Sequence, residues 1–169
     1  MNRIKRAILV SLLLCSCIAC DQATKGIARD YLAAAPAVSY LGDLFRLQYA
    51  ENQGAFLGWG SRLTANARSG VLIVLVGTML TGMLVFTLTQ RRLPLERSIA
   101  LALIVGGGLS NLLDRLLHQG AVIDFMNIGL GNLRTGIFNV ADVVILIGVG
   151  LLCLSILRHA DPKEAARTL

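Results

Sequence analysis

Residues 69–90 read SGVLIVLVGTMLTGMLVFTLTQ, 22 consecutive positions without a charged side chain. A helix crossing the hydrocarbon of a bilayer needs roughly 20 such residues, so this stretch can span unaided. Three other stretches are free of charge but shorter: residues 7–20, 98–113 and 143–157, with 14, 16 and 15 positions. Each must draw a charged residue into one end to span. The first runs past Asp21 to about residue 28, the third past Asp114 to about 117, and the fourth starts before Asp142, near Asn139. The whole chain agrees: of 169 residues, 55% are apolar and 15% charged, with a mean hydropathy of +0.68. That composition excludes a disordered tail, a disulfide scaffold and a soluble enzyme with a polar surface. With only 5% aromatics, a net charge of +6 is weak support for a nucleic-acid partner. None is expected.

Orientation follows from Lys and Arg in the short flanks. Nine of the 16 basic residues sit in three of them: Arg3, Lys5 and Arg6; Arg91, Arg92 and Arg97; Arg158, Lys163 and Arg167. Both termini are therefore expected in the cytoplasm, with four spans at about 7–28, 69–90, 98–117 and 139–157. The outer segments are then 29–68 and 118–138, all within a single membrane domain, 1–169. In this topology Asp21, the Asn111–Asp114–Arg115 group, and Asn139 with Asp142 all fall in one layer near the outer face. Ionisable groups in a span are costly and mark functional sites by default.

The outer segments carry strand patterns. Phe45, Leu47 and Tyr49 alternate with Leu44, Arg46 and Gln48. Gly54, Gly58 and Gly60 punctuate a loop. Residues 121–128 read as a second strand, with Val122, Asp124 and Met126 on one face and Ile123, Phe125 and Asn127 on the other. The expected fold is an all-α membrane bundle of four helices with a small, cradle-like β-sheet on its outer face.

Several chemistries lack their residues. His118 and His159 lie at opposite faces, no metal-binding spacing is present, and neither a metal nor a cofactor is expected. Cys15, Cys17, Cys20 and Cys153 read as small buried hydrophobes. Gly106, Gly107 and Gly108 suit close helix packing. A Ser–Lys pair of Ser110 and Lys25 is the weakest option. Carboxylates remain. Asp114 adjoins Arg115 and reads as half of a salt bridge; Asp21 precedes Lys25 by four residues on one helical face, again a pair. Asp124 and Asp142 have no adjacent cation, and Asp142 opens a helix whose N-terminus favours an anion. Two such carboxylates could share one proton, one activating water and the other protonating a carbonyl. Spacing alone leaves that open.

Five boxes now resemble one family. Asp21-Gln22-Ala23-Thr24-Lys25 resembles the D-Q-x-[ST]-K box of the lipoprotein signal peptidases, the type II signal peptidases of bacteria. Asn52-Gln53-Gly54-Ala55-Phe56 resembles N-x-G-A-F, and Asn111-Leu112-Leu113-Asp114-Arg115 resembles N-L-x-D-R. Val122-Ile123-Asp124-Phe125 resembles V-x-D-F, and Phe138-Asn139-Val140-Ala141-Asp142 resembles F-N-x-A-D. They occur in the family's order over almost the whole chain. The resemblance implies an aspartic endopeptidase of the bacterial inner membrane. It would cut prolipoprotein signal peptides just before the diacylglyceryl-modified cysteine, with Asp124 and Asp142 as the catalytic pair. Asp21, Asn52, Gly54, Asn111, Asp114, Arg115 and Asn139 fall on the family's supporting positions. Expected partners are the lipid-modified precursor and membrane lipids, with the enzyme a monomer. One departure is Ser110, where the family usually has Gly, which predicts a looser helix contact.

Two rivals use the same residues differently. Residues 1–20 could be a lipoprotein signal peptide ending in Ile18-Ala19-Cys20, but position 17 is Cys where such a box carries Leu, and the cut would separate Asp21 from its helix. A proton-coupled transporter would need polar groups at several depths. Here they cluster in one layer.

Overall fold

A computed structural model describes residues 2–53 and 65–160. Gly54, Gly58 and Gly60, and the basic tail residues Lys163 and Arg167, lie outside them. Four helices form the bundle: α1 (Arg3–Leu32), α2 (Ala65–Thr89), α3 (Leu95–Leu117) and α4 (Val140–Ala160). All four are long and apolar enough to cross a membrane, and α1 extends the expected span by several residues at each end. The helix faces turned away from the bundle carry large exposed aliphatic side chains, among them Ile8, Leu12, Val74, Leu75, Leu146 and Leu157. Lipid is the medium in which such a surface costs nothing.

α3 is the central helix. More than half of its span is buried, against a small fraction of the other three, and it packs on all of them, whereas α2 and α4 do not touch. The glycines at 106–108 make this possible. A Cβ at Gly106 would lie 2.9 Å from Cys17 Cβ of α1. One at Gly107 would lie 2.6 Å from the Ala141 carbonyl of α4, and one at Gly108 2.6 Å from Leu80 Cδ2 of α2. Successive helical residues point about 100° apart, so three adjacent glycines open three directions.

At one end of the bundle Arg6, one of the basic flank residues counted for orientation, is drawn into the protein. It is 2% exposed. Its guanidinium donates to the carbonyls of Thr87, Gln90, Arg91 and Leu93, at and beyond the end of α2. Those carbonyls have no helical partner, and a cation there also meets the negative end of the helix dipole. Beside it, Ser155 of α4 donates to Glu96 and accepts from Arg97 at the start of α3.

The other end carries an antiparallel sheet, ordered β1 (Val38–Tyr40), β2 (Phe45–Asn52), β3 (Val122–Leu130) and β4 (Leu133–Arg134). The two longer strands match the expected ones; β1 and β4, at three and two residues, are too short to show a period. β2 pairs β3 from Phe45↔Ile128 to Asn52↔Val122, with an irregularity between Leu47 and Ala50. The α3–β3 turn is a Schellman-type stop. His118 caps the helix, Gln119 takes φ +51, and the Gly120 N–H reaches the Arg115 carbonyl at 2.8 Å. Phe138, just before α4, bridges Met126 in both directions. β3 and the start of α4 therefore lie side by side.

Candidate active site

Asp124 sits on β3 and Asp142 in the first turn of α4. Asn139 is the N-cap of α4: its Oδ1 accepts from the Asp142 N–H at 3.0 Å, and Asp142 Oδ2 accepts from the Asn139 N–H at 3.1 Å. This is a reciprocal capping box, with Asp142 as its acidic member. The Asn139 Nδ2 group also donates to Asp124 Oδ1 at 2.7 Å, to the Ile123 carbonyl and to Asn111 Oδ1. One asparagine thus touches both carboxylate-bearing residues. Asn52, at the end of β2, donates to Asp124 Oδ2 at 3.0 Å, and Asn111 of α3 donates to Asp142 Oδ1 at 2.9 Å.

Beneath the two aspartates lies a buried ionic cluster. Lys25 Nζ meets Asp21 Oδ2 at 2.6 Å, Asp114 Oδ2 at 2.8 Å and Asn111 Oδ1 at 2.9 Å. All three charged side chains are essentially inaccessible. Each carboxylate also grips a backbone N–H beside the site. Asp114 Oδ2 accepts from Ile123, the residue before Asp124, at 3.1 Å. Asp21 Oδ1 accepts from Ala141, the residue before Asp142, at 2.8 Å. A single ammonium therefore bridges the two anions that pin the two aspartate-bearing segments, offsetting one of their two charges. It also fixes the polarity of Asn111: with Lys25 and Asn139 both donating to its oxygen, the amide NH2 must face Asp142.

The expected Asp114–Arg115 pair does not form. Adjacent residues on a helix point about 100° apart, so Asp114 faces Lys25 and Gln22 Nε2, the latter at 2.7 Å, while Arg115 points elsewhere. The Asp21–Lys25 pair does form. Ser110 does not loosen its contact: it is fully buried, donates to Asp21 Oδ2 at 2.7 Å and accepts from Gln22. Its hydroxyl ties α1 to α3, and with Lys25 held by two carboxylates it has no catalytic pairing. Sequence reasoning left Lys25, Gln22 and Ser110 out of the candidate set. A lysine within an apolar span, whose ammonium must be paired and hydrogen-bonded if buried, is the signal that was available for the first.

The electrostatics differ across the site. Burial pushes the Asp124 carboxyl up to about 6, and the Asp142 charge pushes in the same direction. The amide donors of Asn52 and Asn139, with Lys25, pull against them. Arg115 donates to the Asn111 carbonyl at 3.2 Å, and its buried Nε has no hydrogen-bond partner. It lines an open cavity of about 510 Å³ with Ser69 and Gln119. Asp142 lies on a second, apolar groove of about 650 Å³, which runs along α4 past Leu146 to Val149 and is also lined by Ile128 and Phe138. Among the described residues no three His, Cys, Asp or Glu side chains are arranged to hold a metal. Of the supporting positions, only Gly54 lies outside the described residues.

A sequence profile of the family described as signal peptidase (SPase) II matches residues 13–158. The lipoprotein signal peptidase of Chlorobium luteolum is 37% identical over 160 residues, covering 89% of this chain and 92% of that protein. That of Treponema denticola is 31% identical over 169 residues, covering 97% and 98%. A solved structure described as a bacterial membrane enzyme superposes with a TM-score of 0.77 at 24% identity, covering 92% of this chain and 91% of that one. The four-helix bundle with its antiparallel sheet is thus a known membrane-enzyme fold, and the chain belongs to the signal peptidase II family, a multi-pass membrane peptidase that processes lipoprotein signal peptides.

Proposed function

We propose that the chain is an aspartic endopeptidase that cuts prolipoproteins just before the diacylglyceryl-modified cysteine, with Asp124 and Asp142 as its dyad. The observation that carries this reading is Asn139, which donates to Asp124 and forms the capping box with Asp142, holding two carboxyl groups over one site. Asp142 accepts two N–H groups at the positive end of a helix, which suits the ionised member that takes a proton from water. Asp124, pushed up to about 6, suits the member that gives a proton to the scissile carbonyl oxygen. The resulting gem-diol collapses as the peptide nitrogen takes up a proton and leaves. Asn52 and Arg115 are assigned to the substrate backbone, where unpaired polar groups are costly away from water. The apolar groove beside Asp142 offers a lipid-facing approach for a lipid-modified chain.

In this reading the protein lies in the bacterial inner membrane with both termini in the cytoplasm and the dyad near the outer face. All the residues invoked come from one chain, so a monomer suffices. The transporter alternative is disfavoured because the interior of α2 holds no ionisable group and residues 7–20 of α1 carry no charge, so the charged groups do not form a path across the bundle. Loss of residues 1–19 as a signal peptide would remove Arg6 from the end of α2 and Cys17 from Gly106. The test is direct. Purified protein incubated with a diacylglyceryl-modified precursor should release its signal peptide, and Asp124→Asn and Asp142→Asn should each abolish release while remaining folded, because Asn cannot exchange the proton. Turnover by either variant would remove the dyad assignment.

A further inference from the structure

The rim of the sheet farthest from Asp124 is built from two turns. Leu41 and Leu44 belong to the β1–β2 turn, and Leu130 and Leu133 flank the two-residue β3–β4 turn. Leu41, Leu130 and Leu133 are 80%, 71% and 84% exposed. Turn tips ordinarily carry Gly, Asn, Asp or Ser. Leu41 moreover adopts φ +53, a region that large aliphatic residues rarely enter.

These leucines are held as one surface. The Gly129 N–H donates to the Leu44 carbonyl at 2.9 Å, joining the two turns. Beneath them Asp43 accepts from Ser39 and Arg46, and Arg134 donates to the Asp43 carbonyl at 2.8 Å and to Asn127. Two guanidinium groups against one carboxylate leave a net positive charge just under the rim. The rim also continues the lipid-facing surface of the bundle: Ile128 shares its groove with Leu146 and Val149, one and two turns into α4 from Asp142. The sheet therefore leans along the spanning helix. Apolar surface runs from Leu146 through Ile128 to the tips.

We propose that this leucine rim is seated in the bilayer leaflet on the sheet side, its occupant being phospholipid, with acyl chains against the leucines and phosphate near Arg46 and Arg134. The proposal does not depend on the peptidase assignment. An amphipathic surface with an apolar edge and cationic groups behind it is the pattern of interfacial anchoring.

The test uses the full chain in vesicles of phosphatidylethanolamine and phosphatidylglycerol. An environment-sensitive fluorophore is placed on Leu41→Cys or Leu133→Cys in a background lacking the native cysteines, with Glu51→Cys as the comparison site. Spin-labelled lipid should quench both rim probes at least twofold more than the Glu51 probe, with no precursor present. Leu130→Glu combined with Leu133→Glu should then halve the quenching at Leu41. These residues are exposed, so folding in detergent should not suffer. Rim quenching equal to that at Glu51, quenching that appears only when lipid-modified precursor is added, or shielding that scales with protein-to-lipid ratio would each overturn the proposal. The second result would assign the rim to substrate, and the third to a second copy.

Discussion

Replacing Lys25 with Met isolates the contribution of the buried ammonium. Met fills most of the same volume and removes the charge. Asp21 and Asp114 are left as uncompensated anions at positions that are 0% exposed. Breaking one partner out of a buried ion pair costs about 3–5 kcal/mol. Each carboxylate here keeps two uncharged donors: the Ser110 hydroxyl and the Ala141 N–H for Asp21, the Gln22 amide and the Ile123 N–H for Asp114. The cost therefore belongs at the low end, about 3 kcal/mol. For a chain of this size that corresponds to a fall in Tm of about 6–12 °C. Thermal unfolding in detergent micelles, followed by intrinsic fluorescence, reads it directly. Asp114→Asn is the diagnostic partner. In the wild-type background it breaks the pair and destabilises; in the Lys25→Met background it removes one of two unpaired anions and should restore part of the loss. That change of sign is a coupling energy between contacting residues. Activity should remain below wild type in the rescued double variant, because Asn111 has lost one of the two donors, Lys25 and Asn139, that orient its amide toward Asp142. A Lys25→Met melt within about 2 °C of wild type, no more than the shift expected for about 1 kcal/mol, or an Asp114→Asn effect that is equal in both backgrounds, would refute the reasoning.

The pH–rate profile should fall as pH rises through about 6, where Asp124 gives up the proton assigned to it. Asn52→Ala removes a donor that favours the charged form and should move that limb to higher pH; a downward move contradicts the assignment. The same raised value makes protonated Asp124 favour the folded state. That contribution is complete below about pH 4 and lost as pH rises through about 6, as a urea titration at several pH values would show. Changing Cys15, Cys17, Cys20 and Cys153 together to Ala should preserve cleavage, with a modest loss of stability because Cys17 packs on Gly106; EDTA should not inhibit. Lost turnover in the folded variant, or inhibition that added metal reverses, would count against an aspartic mechanism. Reporters fused at Gln90 should report cytoplasm and those at Gly120 the opposite side, and the reverse result would invert the proposed orientation.

The spans were legible because a bilayer imposes a length and a composition that a sequence displays openly. The two long strands were legible through alternation. What escaped reading depends on direction around a helix or on contacts between distant segments. Arg115 follows Asp114 in sequence, yet Asp114 finds Lys25, 89 positions away. In the sequence Arg6 is one flank charge among several, and only the fold brings the carbonyls of Thr87 and Gln90 to it. Ser110 looked like a defect in a small-residue contact, since a hydroxyl in the sequence does not reveal that Asp21 lies 2.7 Å from it. Of the candidate site, the types and chain order of Asp124, Asp142, Asn111 and Asn139 could be read. The amide polarity that links them could not, because it is set by a lysine that pattern reasoning had assigned to a simple pair.

Three adjacent glycines in α3 give the bundle an address system. Gly106 faces α1, Gly107 faces α4 and Gly108 faces α2, so the identity of each neighbour is encoded in one codon, and the three codons are consecutive. A methyl group at any of them offends a different partner, and the injuries differ in kind. At Gly108 the obstacle is the movable end of Leu80, at Gly106 the Cβ of Cys17, and at Gly107 the fixed carbonyl of Ala141, one residue from Asp142. Genetic suppressors should segregate accordingly. Revertants of Gly108→Ala should map to position 80, those of Gly106→Ala to position 17, and Gly107→Ala should resist reversion elsewhere, because no side-chain change retracts a backbone oxygen. Neighbouring mutations in one short stretch would thus report the arrangement of the whole bundle from inside a living cell.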